Sequence, residues 1–145
     1  MHLVKNTASL TVSRPPGLYP ALSAAENLQF FSDLQDVDRR RVGEALDVVG
    51  LMSVAHRRAD QLSRGMQQRL AIGRAILHEP RLLILDEPDA SLGPDVAELL
   101  TRVMSDKTVV LATHDHALAN KLCQRSLVLR HGRSVGTATR LRVVR

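Results

Sequence analysis

Residues Leu62 to Glu87 read LSRGMQQRLAIGRAILHEPRLLILDE, and this stretch decides the fold. Ser63 is a helix-capping residue type, its hydroxyl suited to accept from a first-turn amide. The residues after it run without a proline to Pro80, so the spacing predicts a long helix that closes before that proline. Leu82, Leu83, Ile84 and Leu85 then form a continuous aliphatic run, the pattern of a parallel strand covered on both faces. The run stops at two adjacent acids, Asp86 and Glu87. In open α/β sheets ligands bind just beyond the carboxyl ends of such strands. Paired carboxylates there are where a nucleotide-hydrolysing enzyme keeps a magnesium ion and a water. A buried strand that merely ends in a solvated Asp-Glu-Pro turn is the plainer alternative, and the capped helix in front of it argues against that.

With helix and strand together, the stretch resembles the second half of an ABC-type ATPase domain, the nucleotide-binding engine of ABC transporters. Leu62, Ser63, Arg64, Gly65 and Met66 stand where that family has its LSGGQ signature, and Leu82 to Asp86 match its Walker B strand. The resemblance implies an α/β fold: a partial P-loop NTPase (ABC ATPase) core with a parallel sheet, plus a helical subdomain. It implies ATP and Mg²⁺ as ligands, with Asp86 holding the metal and Glu87 polarising the attacking water as general base. It also implies that Leu62 to Met66 grip the γ-phosphate of ATP held by the opposite subunit of a head-to-tail dimer. Two signature positions depart from the family pattern, Arg64 replacing glycine and Met66 replacing glutamine. The variant SRGMQQRL resembles one branch, the haem-exporter ATPases of cytochrome c biogenesis.

Composition narrows the classes. The chain has 145 residues, enough for one domain with a sizeable core, and hydrophobic residues make up 44%. One Tyr, two Phe and no Trp argue against aromatic platforms for single-stranded nucleic acid. The net charge of +5 comes mainly from arginine and suits an anionic partner or simply a solvated surface. A single cysteine, Cys123, excludes an internal disulfide. No apolar run approaches the ~20 residues that span a bilayer, and the N-terminal twelve residues lack a signal core. The resemblance therefore implies a cytoplasmic subunit, peripheral to the inner or plasma membrane through a membrane partner, without direct membrane insertion.

Upstream, Arg14-Pro15-Pro16-Gly17-Leu18-Tyr19-Pro20 reads as a rigid loop. Ser23 and Glu26 make a capping box that predicts a helix over about 23–34, carrying Leu28, Phe30, Phe31 and Leu34. In the family a similar stretch opens the helical subdomain directly after the Q-loop. By that register Arg14 stands where the glutamine that touches the metal belongs. Val42, Ala45, Leu46 and Val49 form the stripe of a second amphipathic helix that Gly50 ends, with Arg39 to Arg41 facing solvent in its first turn. His56, Arg57 and Arg58 read as a wet loop leading to the signature.

Downstream, Pro88 to Leu92 match the start of the family's D-loop, with Gly93 in place of its interface aspartate. Pro94 opens a helix whose stripe is Val96, Leu99, Leu100 and Val103. Thr108 to Ala112 is expected as a further buried strand, and His114 just beyond it matches the switch histidine, which by resemblance contacts the γ-phosphate and positions Glu87. His114 and His116 could suggest a metal, but no third ligand supports one. A helix over 115–123, a strand over 126–130, a turn at His131-Gly132 and a strand near Arg133 to Gly136 complete the reading. The expected divisions are an unassigned segment 1–13, the partial domain 14–136 (helical subdomain about 21–78, core about 79–136) and a basic tail 137–145.

The phosphate-binding pattern G-x-x-x-x-G-K-[ST] occurs nowhere in these residues, since no lysine follows a glycine. Three functions stay open. The first is the ATP-binding subunit of an ABC transporter, paired with a membrane subunit and a second ATP-binding subunit as homo- or heterodimer. The second is a non-hydrolysing partner that donates its signature helix. The third, a soluble relative acting on nucleic acid, is disfavoured by the missing aromatics and second domain.

Overall fold

In the computed structural model the described residues are 7–11 (backbone), 17–88 and 95–139, the last two as backbone only. The predicted strand Leu82–Asp86 (β2) is the middle of a parallel three-stranded sheet. On one side it pairs with Thr7–Thr11 (β1), Thr11 opposite Asp86; on the other with Thr108–Ala112 (β3), Ala112 opposite Asp86. The sheet thus reaches into the N-terminal segment, where the sequence offers Leu10-Thr11-Val12 as a strand entering a sheet; β1 takes in Leu10 and Thr11, and Val12 lies outside the described residues. Leu83 and Leu85 of β2 are fully buried, as an aliphatic run between two strands requires.

Five α-helices occur among the described residues: Ala24–Leu34 (α1), Arg40–Val48 (α2), Arg64–Ile76 (α3), Val96–Met104 (α4) and His116–Leu122 (α5). The capping box of α1 forms as expected, with Ser23 Oγ accepting from Glu26 N and Glu26 Oε2 accepting from Ser23 N. That second bond holds the Glu26 carboxyl below its usual range. α2 ends in a Schellman motif: Gly50 at φ +68° lets Leu51 N donate to Leu46 O and Gly50 N to Asp47 O. Leu28 of α1, Leu46 and Val49 of α2 and its end, and Leu70 and Ile72 of α3 close a core together. Gly73 lets α3 approach closely: a Cβ there would lie 3.5 Å from Val49 and 3.6 Å from Leu28. α3 also lies against β1, and α4 against α5.

Several expectations change. On α1 the buried row is Ala24, Asn27, Leu28 and Ser32, while Phe30 and Leu34 stay exposed, because the i, i+3, i+4 face and not each apolar residue turns inward. Arg39 and Arg40 face solvent, but Arg41 is half-buried and paired with Glu44 and Glu79. β3 is not a buried strand. Its residues alternate between exposed and half-buried, and Val110 is 54% exposed, because the face that carries Thr108, Val110 and Ala112 is left uncovered among the described residues. Arg125–Arg130 (β4) and Arg133–Thr139 (β5) form a separate antiparallel hairpin around His131 and Gly132, both at positive φ. β5 runs past the boundary placed at residue 136. Arg14 and residues 89–94, with Gly93 and Pro94, lie outside the described residues, and with them the expectations for the loop before α1 and for the segment after β2.

Candidate active site

Adjacent parallel strands end side by side, so the residues after β2 and β3 converge. Glu87 follows β2 with φ +47°, a left-handed backbone that costs a non-glycine residue about 1 kcal/mol. Its N–H donates to Ala112 O at 2.8 Å, which anchors the turn on the end of β3. The turn brings the carboxylate to the loop after β3, where His114 Nδ1 lies 2.5 Å from Glu87 Oε2. The two residues are 27 apart in sequence. Asp115 caps α5, its Oδ1 accepting from Leu118 N, and fixes the loop that carries His114.

Asp86 is exposed at the last position of β2, beside this pair. No group of three His, Cys, Asp or Glu able to hold a metal occurs among the described residues. An exposed carboxylate fits Mg²⁺ in the manner of nucleotide sites, where one or two protein oxygens share the ion with phosphates and water. His116, the first residue of α5, is exposed and adds no ligand cluster.

Residues Leu62 to Met66 form a second, separate element. Ser63 caps α3 with Oγ accepting from Met66 N at 3.2 Å, as the sequence predicts. With methionine at N3 the reciprocal bond of a capping box is not available. Leu62 is buried and anchors the entry, Gly65 and Met66 are half-buried, and Ser63 and Arg64 are exposed. The amides of Arg64 and Gly65 meet no acceptor among the described residues. They fit an anionic ligand, since a helix N-terminus concentrates unpaired N–H donors and positive dipole. No hydrogen bond joins Leu62–Met66 to Glu87 or His114.

Two residues that no motif marks hold the loop after β1 onto the helices. Asn27 is fully buried, accepts from Tyr19 N and donates to the carbonyls of Tyr19, Leu22 and Ser23. Arg74 stacks 4.4 Å over the Phe31 ring and donates to Gly17 O, tying that loop to α3. Burial pushes the Arg74 guanidinium down and the Cys123 thiol up, so Cys123 is a poor nucleophile. A polar Asn beside Ala24 and Leu28 on one helix face was the one available signal for the first of these.

The ABC transporter family model matches residues 3–90. The chain belongs to this family. It is 36% identical over 137 residues to a fluoroquinolones export ATP-binding protein of Mycobacterium tuberculosis, covering 90% of this chain and 46% of that protein. It is 41% identical over 113 residues to the cell division ATP-binding protein FtsE of the same organism, covering 74% and 49%. Among solved structures it matches cbiO1 of Clostridium perfringens, part of an ABC transporter complex, with TM-score 0.81 and 26% identity over 93% of this chain and 57% of that one. The chain spans about half the length of the curated relatives it matches. The fold is that of an ABC ATPase domain, in part, and no helix among the described residues is long and apolar enough to cross a membrane.

Proposed function

We propose that the chain is an ATP-binding subunit of an ABC transporter, coupling ATP binding and hydrolysis to transmembrane transport. The contact between Glu87 and His114 at the ends of two paired strands carries this reading. A purely regulatory subunit has no use for a carboxylate held by an imidazole at that place. In the proposed division Asp86 binds Mg²⁺, Glu87 accepts the proton of the attacking water and His114 holds the carboxylate in line. Bound Mg·ATP supplies the phosphoryl group and neutralises its charge. Ser63, Arg64 and the first-turn amides of α3 grip phosphate presented by a second ATP-binding subunit, homo- or heterodimeric, and Leu62, Gly65 and Met66 shape that tip. Transport requires a membrane subunit, which places the chain in the cytoplasm against the inner or plasma membrane. The partial domain 14–136 lacks the phosphate-binding lysine loop in these residues, so Mg·ATP binding by this chain alone is weak. The haem-exporter branch rests on the SRGMQQRL variant only, and the relatives named above belong to other branches.

The runner-up is a non-hydrolysing partner that lends its signature helix to an intact subunit. The open amides and exposed Arg64 at the tip of α3 favour it. Equilibrium binding of Mg·ATP to the chain, alone and mixed with an intact ABC ATPase subunit, tests both readings. Tightening in the mixture, with turnover lost in Glu87→Gln at unchanged folding, is the expected result. Tightening without any effect of Glu87→Gln favours the runner-up, and silence in the mixture defeats both.

A further inference from the structure

The weak point of the candidate site is the exposure of its imidazole. The His114 side chain is 80% exposed and that of Glu87 39%, so the described residues leave the ring mostly open to solvent. Contacts between groups this exposed hold themselves only weakly, because water screens them and both side chains lose rotamer freedom. The 2.5 Å contact therefore depends on the backbone that presents its two ends. On the Glu87 side the sheet fixes that backbone, with Glu87 N donating to Ala112 O. His114 lies beyond Ala112, the last residue of β3 in the ladder with β2, and no strand pairing reaches it.

Side chains take over there. Thr113 Oγ1 accepts from Asp115 N at 3.0 Å, closing a turn across His114. Asp115 Oδ1 accepts from Leu118 N at 3.0 Å, and Asp115 O accepts from Ala119 N at 3.0 Å. The His114 backbone thus lies between one side-chain acceptor before it and one after it. Asp115 is extended, at φ −80° and ψ 95°, as a helix cap is. α5 has a firm seat, since Leu118 is buried in the core and the helix packs on α4. A helix of seven residues has little stability of its own, however. Losing the cap frees its first turn, and with that turn the loop that carries His114.

We propose that Asp115 is a positioning residue for the Glu87–His114 pair, its carboxylate holding His114, through Leu118 N, where Nδ1 meets Glu87. The consequence for turnover rests on the ATPase reading above, while the positioning itself is readable without nucleotide. The first readout is the nitrogen resonance of His114 Nδ1 in the isotope-labelled full chain at fixed pH, identified by its loss in His114→Gln. Glu87→Gln should shift this resonance in the parent. In Asp115→Ala the same Glu87→Gln change should shift it about fivefold less, the factor that a lost cap takes from an equilibrium constant. Asp115→Asn should keep the parent response, because asparagine caps as well as aspartate and only the charge is gone. Ser23→Ala removes the cap of α1 and should leave the response as it is, which a general loss of stability would not. The second readout is the part of ATP turnover that Glu87→Gln abolishes in the mixture with an intact ABC ATPase subunit. Asp115→Ala should lower it about fivefold with KM for ATP unchanged, and Asp115→Asn should restore it. A parent resonance indifferent to Glu87→Gln, a full response in Asp115→Ala or an equal loss in Ser23→Ala overturns the positioning. So does failure of Asp115→Asn to restore the response. Resonances that behave as expected while the parent mixture shows no turnover defeat the ATPase reading and leave the positioning standing.

Discussion

The helical half and the sheet margin of this molecule use similar aliphatic residues with opposite results. In α1–α3, Leu28, Leu70 and Ile72 are at 0% exposure, whereas at the margin Val110, Leu127 and Leu129 are at 54%, 59% and 61%. The helices complete their burial among themselves, because each carries one apolar face and the three faces meet. The strands β3, β4 and β5 have an open edge or face that nothing within the described residues covers. Burial is therefore a property of the pairing partner, and residue type alone does not tell the two regions apart.

Substitutions can break or sharpen that contrast. The largest expected effect is Leu70→Ala, which leaves a cavity between α1, α2 and α3 and should cost about 2–5 kcal/mol in urea unfolding. Leu129→Ala should cost under about 0.5 kcal/mol, and equal losses would abolish the distinction between the regions. Asn27→Ala comes next, at about 1–3 kcal/mol, because it takes the acceptor from Tyr19 N and one of two donors from each of three carbonyls, which keep the N–H groups of Leu22, Ala59 and residue 27. Gly73→Ala should raise stability by about 1 kcal/mol, the helix propensity gained with only ordinary contacts to Val49 and Leu28. A loss there would show that the helical interior is already full.

The smallest effect concerns pH. Burial holds the His78 imidazole below its ordinary value, and its Nδ1 is buried without a partner among the described residues. The folded state therefore binds fewer protons than the unfolded chain. Its contribution is present above the unfolded value near 6.5 and is lost as pH falls through the lower folded value. Thermal unfolding of His78→Gln should show a slightly flatter slope than the parent below about pH 6.5. The half-buried setting keeps the difference small.

Local chemistry was legible. The Ser63 cap, the capping box at Ser23 and Glu26, the Gly50 stop and the apolar run before Asp86 each act through residues a few positions apart, so the sequence contains both partners. Glu87 stood out as a strand-end acid, but its pairing with His114 could be named only by resemblance, since the contact spans 27 residues and depends on β2 pairing with β3. Arg74 on Gly17 spans 57 residues and carries no motif at all. β3 was misread because a strand buried on both faces and one open on one face share the composition Thr-Val-Val-Leu-Ala. By itself the sequence determined the elements, their caps and the identity of the acids, all set by short-range hydrogen bonding and periodicity. Only the tertiary structure decided which strand ends meet, which aliphatic rows stay uncovered and where the arginines face, because those depend on contacts between segments far apart in the chain.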